Sequence, residues 1–229
     1  MASRRPERHS ARRWGELRAP AGRQSRVRPH PTQKAQARAV ALWEAASPAT
    51  AHPYAEAKGL SLEGLRVAGG RLFIPMRDLA TGELWNVQTI APDGLKRFLP
   101  DARTAGLCWG RGEPGRVLAL AEGMATAAAI NAATGLCAIA AMTAANLEAV
   151  ARAMRRRWGA ATIIVGADLD PVGEAKAADA ARAMSGLIAR PPHPSGAPPR
   201  GWDFDDALQD MGPDAVRAAF ASPAHPERN

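Results

Sequence analysis

The sequence predicts an α/β fold, in which a mainly parallel sheet has helices on both faces and follows a small α+β subdomain. From residue 117 onward, short apolar runs alternate with alanine-rich segments of helical spacing, the pattern of parallel strands joined by crossover helices. Before residue 100, three strand-like runs are separated only by short turns, which indicates antiparallel pairing. The apolar fraction of 46% is that of a globular protein with a sizeable core.

The N-terminal subdomain is predicted to combine helices with an antiparallel sheet. Helices are expected over 32–47 and 52–60. Strands are expected over RLFIPMRD (71–78), ELWNVQTIA (83–91) and LKRFL (95–99). Residues 100–116 are rich in glycine and charge, so we expect a loop there that marks a domain boundary.

The second part is predicted to consist of βα units followed by two short helices. Strands are expected over 117–123, 136–141 and 162–170. Helices are expected over 124–134, 143–158, 171–189, 203–210 and 213–221, with Thr143 as the N-cap of the second. The chain would thus comprise a disordered basic arm (1–31), the α+β subdomain (32–115), the parallel α/β domain (116–221) and a tail (222–229).

The basic arm holds almost all of the net charge of the chain. Residues 1–33 contain nine arginines and two glutamates, which gives +7 of the total of +8. Such an arm is suited to the phosphate backbone of a nucleic acid, and its binding would depend strongly on salt. The arginines expected to make these contacts include Arg4, Arg5, Arg8, Arg12 and Arg13.

Cysteine usage and hydropathy indicate a cytoplasmic protein with no membrane partner. Cys108 and Cys137 lie far apart and outside any CxxC motif, so they predict neither a zinc site nor a disulfide framework. No apolar stretch approaches the roughly 20 residues that span a bilayer. Residues 1–30 also lack the apolar core of a signal peptide.

Acidic residues follow two of the predicted parallel strands. Glu122 ends the strand that begins at 117, and Asp168 and Asp170 end the apolar run IIVGADLD. Carboxylates two residues apart on extended chain point to the same side and repel each other unless a cation lies between them. A third acidic segment, WDFDDAL, adds Asp203, Asp205 and Asp206 after the loop; any of the three could contact a metal ion, and one could instead only cap the helix that begins there. Since ligands of open α/β sheets bind at the carboxyl ends of the strands, these acids predict a Mg²⁺ or Mn²⁺ site.

In this order and spacing, the acidic motifs resemble the Toprim fold of bacterial-type primases, topoisomerases and some nucleases. The family pattern of Glu-Gly after one strand and Asp-x-Asp after a later one is matched by Glu122-Gly123 and by Asp168-Leu169-Asp170. Upstream, HPYAEAKGL, LFIPMRDLATGEL and LKRFL are similar to the helix and strands that precede this domain in primases. GWDFDDAL is similar to the segment that ends the Toprim region of many plasmid and phage primases.

The resemblance implies synthesis of RNA primers from ribonucleoside triphosphates on single-stranded DNA, in plasmid or phage replication or conjugation. Asp168 and Asp170 would hold the catalytic metal ions, Asp203 would complete a second site, and Glu122 would be a metal ligand or an acid/base. Lys96 and Arg97 would contact phosphates. Many relatives also have a zinc ribbon and a helicase. In this chain, binding of the template would come from the arginine arm or from a partner, such as a helicase or a template-recognition protein.

Four other functions deserve comparison with a primase. A metal-dependent nuclease would share the acids, and a non-catalytic replication factor would bind single-stranded DNA through its arm alone. A phosphatase with DLDPV as its nucleophile motif would need more than the 59 residues that follow Asp170. A topoisomerase would need a nucleophilic tyrosine, and the only tyrosine, Tyr54, lies in the primase-like helix. Trp109 and Trp202 could stack on bases, although packing in the core is the stronger expectation for both.

Overall fold

The computed structural model describes residues 31–196 and 201–226. The arginines predicted to contact nucleic acid at positions 4–13 lie outside these residues. The strands are β1 (Ser47–Pro48), β2 (Arg66–Ala68), β3 (Arg71–Asp78), β4 (Leu84–Ile90), β5 (Lys96–Phe98), β6 (Leu107–Arg111), β7 (Val117–Ala121), β8 (Cys137–Ala140), β9 (Thr162–Gly166) and β10 (Leu187–Ala189). The helices are α1 (Pro31–Ala45), α2 (Pro53–Ala57), α3 (Met124–Thr134), α4 (Leu147–Arg157), α5 (Pro171–Met184), α6 (Phe204–Met211) and α7 (Pro213–Ala221).

The described strands form one mixed sheet in the order β1-β2-β3-β6-β8-β7-β9-β10, with β4 and β5 added on the other edge of β3. The strands β7 to β10 pair in parallel, as the alternation of apolar runs and helices predicts. The strands β2 to β5 pair antiparallel, as their short connecting turns predict. Both parts of the predicted α/β fold class are therefore confirmed.

The predicted loop over 100–116 is wrong in part, because it contains strand β6. This strand pairs antiparallel with the end of β3 through Cys108 and with β8 through Trp109. It therefore joins the antiparallel and parallel strands into one continuous sheet. The division of the chain at residue 115 into two domains stays a prediction.

Two further corrections concern segments beside the acids. The helix expected over 171–189 ends at Met184, after which Ser185 adopts a left-handed conformation (φ 52°) and β10 begins at Leu187. The helix expected from Thr143 begins instead with a 3₁₀ turn over Ala144–Asn146, and the Thr143 side chain makes no capping hydrogen bond. The strand expected to reach residue 170 ends at Gly166, so Asp168 and Asp170 lie in the loop that follows it.

Side chains that alternate along the strands fill cores on both faces of the sheet. On β7, Ala119 and Ala121 face the side that α3, α6 and α7 cover, and Leu118 and Leu120 face α4 and α5. The small residues of β7 allow the alanine-rich α3 to lie close to the sheet. In the N-terminal part, α1 packs on β4. Among the residues that the structure describes, no helix combines the length and apolarity needed to cross a bilayer.

Candidate metal centre

The acidic side chains meet where neighbouring parallel strands end. Glu122 follows β7 directly, and Asp168 and Asp170 follow β9, which pairs in parallel with β7. Helix α6 brings Asp203 to the same edge, because the backbone N–H of Leu169 donates to the carbonyl of Trp202 at 2.8 Å. We refer to Glu122, Asp168, Asp170 and Asp203 as the acidic cluster; the sequence predicted all four.

Asp168 is the acid whose surroundings best fit a metal ligand. Its Oδ1 atom is buried and has no hydrogen-bond partner among the described residues. Burial, reinforced by the charges of Asp203, Glu122 and Asp170, raises the pKa of this carboxyl to about 7. A buried, unpartnered carboxylate oxygen on a residue that feels the charges of neighbouring carboxylates fits a divalent ion with oxygen ligands. These residues therefore fit the metal site that the sequence predicts.

Glu122 is half-buried and has charged neighbours of both signs. Burial raises its pKa, and the negative charges of Asp170 and Asp203 act in the same direction. The backbone N–H of Ala144 and the positive charge of Lys96 oppose this rise. Such a carboxyl can either ligate a metal ion or act as a general acid or base.

Asp170 has a structural role besides its place in the cluster. Its Oδ1 accepts hydrogen bonds from the backbone N–H groups of Val172 and Gly173, at 2.9 and 3.0 Å, and so caps α5. A side chain at Gly173 would place its Cβ 2.9 Å from the carbonyl oxygen of Asp168. The glycine therefore lets the first turn of α5 lie directly against Asp168.

The three acids of the DFDD segment have different partners. Oδ1 of Asp203 caps α6 by accepting the N–H groups of Asp205 and Asp206, and its Oδ2 accepts the hydroxyl of Thr126 at 2.7 Å. Asp205 is buried and pairs with Lys58, whose Nζ lies 2.5 Å from Oδ2. Carboxylate oxygens of the three acids lie within 4.8 Å of one another. Lys58 neutralises Asp205, and of the three acids Asp203 has the largest electrostatic effect on Asp168.

The two basic residues of β5 lie on opposite sides of the sheet. Lys96 is exposed, its Nζ is 5.6 Å from the centroid of the Tyr54 ring, and its charge acts on Glu122. Arg97 lines a cavity of about 370 Å³ with Phe73 and Val87, on the face that α1 covers. Only Lys96 is therefore placed beside the acidic cluster. The phosphate contacts expected of both residues stay predictions.

Two residues of the site were not assigned a role from the sequence. Lys58 precedes Gly59 in the HPYAEAKGL segment. The signal that could have identified it is a positive charge in a segment that resembles a primase motif. Thr126 lies four residues after Glu122 and is one of the few polar residues in MATAAAINAAT. Trp109 and Trp202 are 3% and 6% exposed, which confirms packing rather than base stacking.

Sequence comparison identifies known proteins that are similar to this chain. Residues 117–214 match the model of the Toprim domain. Two DNA primases TraC of Escherichia coli are 33% and 32% identical to this chain, and each match covers 58% of it. The chain spans only 10% and 14% of the length of these relatives.

Solved primase structures share the fold over a longer stretch. The DnaG primase catalytic domain bound to single-stranded DNA superposes with a TM-score of 0.60 at 16% identity, over 85% of this chain and 80% of that one. The primase fragment of the bacteriophage T7 primase-helicase gives 0.56 at 14% identity, over 72% of each chain. At these identities the likeness shows the fold alone. Together with the sequence matches, it confirms the predicted resemblance to Toprim primases of mobile elements, with residues 117–214 matching the Toprim domain.

Proposed function

We propose that this chain is the nucleotidyl-transfer part of a DNA primase, which joins ribonucleotides on single-stranded DNA with Mg²⁺ or Mn²⁺. The observation that carries the proposal is the acidic cluster, with the unpaired buried oxygen of Asp168 at its centre and Lys96 beside Glu122. The TraC relatives are named DNA primases, and each match covers 58% of this chain. A cytoplasmic location in plasmid or phage replication or conjugation belongs to the same proposal.

Each residue of the cluster has a role that follows from its position. Asp168, Asp170 and Asp203 would hold the divalent ions, which stabilise negative charge on the attacking 3′-oxygen and the leaving pyrophosphate. Glu122 would complete the ligand set or accept the proton of the 3′-hydroxyl, since burial already favours its protonated form. Lys96, exposed at the rim, would contact the nucleotide phosphates.

The arm and a partner protein would hold the template. Residues 1–33 carry a net charge of +7, which suits a single-stranded phosphate backbone. A helicase or a template-recognition protein is the partner that we expect. The arm contributes affinity without sequence preference, so a partner would supply the choice of template.

Primer synthesis on single-stranded DNA tests the proposal. The substitution of Asp168→Asn together with Asp170→Asn is expected to abolish primer formation with either metal ion. A matched control is Asp210→Asn together with Asp214→Asn, which removes two exposed carboxylates outside the cluster and should leave synthesis unchanged. Equal product from the wild type and the first double variant would refute the proposal. Degradation of the template without primer product would identify a nuclease instead.

A further inference from the structure

Thr126 is a buried polar residue whose hydroxyl contacts the acidic cluster from another helix. It is the third residue of α3, its side chain is 2% exposed, and its Oγ1 donates to Oδ2 of Asp203 at 2.7 Å. The two residues are 77 positions apart in the sequence. The bond therefore ties the helix that follows Glu122 to the helix that carries Asp203.

The two oxygens of Asp203 are fixed by different elements. Oδ1 accepts two backbone N–H groups of α6, at 2.7 and 3.1 Å, which completes the N-cap of that helix. These bonds restrain the carboxylate through one oxygen and from its own helix only. The Thr126 hydroxyl holds Oδ2 from another helix, and this second restraint narrows the rotation of the carboxylate about its Cβ–Cγ bond.

The orientation of Asp203 matters because Asp168, on which its charge acts, has a buried oxygen without a hydrogen-bond partner among the described residues. Oδ1 of Asp168 is buried without a hydrogen bond, and Asp203 is its strongest negatively charged neighbour. An ion between these two carboxylates requires both to present oxygens at a fixed separation. Residues that hydrogen-bond to a metal ligand orient it, and their loss typically weakens metal affinity by about 10- to 100-fold.

We propose that Thr126 is a positioning residue, whose hydroxyl orients the Asp203 carboxylate and thereby sets the affinity of the acidic cluster for a divalent ion. The inference rests on the proposed function, in which Asp203 is a metal ligand. Thr126 touches neither the ion nor the substrate and acts through Asp203 alone. Its γ-methyl group is buried with the rest of the residue, so substitutions can separate the role of the hydroxyl from that of the methyl group.

Direct binding of Mn²⁺ to the full chain, measured by calorimetry and by the electron paramagnetic resonance signal of free Mn²⁺, tests this role without any assay of activity. Thr126→Val keeps the shape of the side chain and removes the donor, and it is expected to weaken Mn²⁺ binding by about 10-fold or more. Thr126→Ser keeps the donor and is expected to bind Mn²⁺ within about 3-fold of the wild type. Thermal unfolding in a chelator checks that both variants fold.

Thr134→Val is the matched control, because Thr134 lies at the other end of the same helix and also donates its hydroxyl, to the carbonyl of Ile130. It should leave Mn²⁺ affinity unchanged. Should Thr126→Val fail to fold, Thr126→Ala serves for the same comparison.

Wild-type affinity in the valine or alanine variant would overturn the inference, as would an equal loss in the serine variant. An absence of saturable Mn²⁺ binding by the wild type would contradict the proposed function itself. The Asp168→Asn and Asp170→Asn double variant gives the reference for a cluster that cannot hold the ion.

Discussion

The ammonium group of Lys58 lies 2.5 Å from Oδ2 of Asp205 and joins the segment after α2 to the first turn of α6. The Asp205 side chain is 1% exposed, and the same oxygen also accepts a hydrogen bond from Gln209 at 2.9 Å. Burial lowers the pKa of Lys58, but the hydrogen bond and charge of Asp205, together with the charges of Asp206 and Asp203, raise it above its ordinary value. This pair connects the N-terminal subdomain to the helix that carries Asp203.

Loss of this ion pair is expected to destabilise the protein. Lys58→Met keeps the apolar stem but leaves the buried Asp205 carboxylate without its counter-ion, so the free energy of unfolding should fall by about 1–3 kcal/mol. Urea unfolding followed by circular dichroism measures the change. Lys176→Met is the control, because its pair with Asp179 is about half-exposed and should contribute less than about 0.5 kcal/mol. Equal losses in the two variants would contradict the prediction.

The raised pKa of Asp168 predicts how the stability of the metal-free protein depends on pH. Burial and the neighbouring carboxylates raise this pKa to about 7, above its value of about 3.9 in an unfolded chain. The folded state therefore binds the extra proton between these values, and the contribution of Asp168 to stability is lost as pH rises from about 4 to about 7. Urea unfolding in a chelator should show a smaller loss over this range for Asp168→Asn than for the wild type. Asp210→Asn, on an exposed acid, should behave like the wild type.

The Asp168 carboxyl also predicts how metal binding depends on pH. An ion must displace the proton of Asp168, so the rise in melting temperature caused by Mg²⁺ should be larger at about pH 8 than at about pH 5.5. Thermal unfolding with and without Mg²⁺ at both pH values measures this difference. An equal rise at both values would mean that Asp168 does not ligate the ion.

Because the first turn of α5 lies in close contact with Asp168, a single methyl group added at Gly173 is expected to disturb the metal site. In Gly173→Ala the new Cβ would lie 2.9 Å from the carbonyl oxygen and 3.0 Å from the Cβ of Asp168, so this backbone must shift. We expect Mn²⁺ binding to weaken by about 10-fold or more while the protein remains folded. Gly115→Ala is the control, because a Cβ there meets no atom within 4 Å. A Gly173→Ala variant that binds Mn²⁺ normally would show that Asp168 has room to adjust.

Because Lys96 and Arg97 lie on opposite faces of the sheet, we expect their substitutions to change the nucleotide dependence of primer synthesis to different extents. Lys96→Ala removes the cation beside Glu122 and should raise the nucleotide concentration that gives half-maximal primer synthesis by about 10-fold. Arg97→Ala, on the α1 side of the sheet, should have a smaller effect on this concentration. Steady-state primer synthesis at varied nucleotide concentration measures both. A larger effect of Arg97→Ala would place the nucleotide on the other face.

The parallel part of the fold and the acids were predictable because each depends on a local pattern. Apolar runs alternate with alanine-rich helices, and the acids follow the ends of strands. Strand β6 was missed because it is only five residues long, contains Gly110 and is flanked by glycines at positions 106 and 112. Strand β10 was missed because it is three residues long and follows α5 after only Ser185 and Gly186.

Contacts between segments that lie far apart along the chain could not be predicted from the sequence. The pair of Lys58 and Asp205 and the bond from Thr126 to Asp203 each join residues more than 70 positions apart. Alternation along β5 predicts that Lys96 and Arg97 lie on opposite faces, but only the packing of α1 shows which of them is near the acids. The different partners of Asp203 and Asp205 likewise depend on where α2 ends.

The hydrogen bonds of Trp202 separate the acidic cluster from the proline-rich connection before it. The indole Nε1 donates to the carbonyl of Pro192 at 2.9 Å, while the carbonyl of Trp202 accepts the N–H of Leu169. The connection is thus closed at its base, and its two ends stay together whatever lies between them. Doubling its length would cost only about 0.6 kcal/mol of closure entropy. This stretch is therefore where related chains can gain or lose residues, or accept an inserted tag, while Asp168 and Asp203 keep their separation.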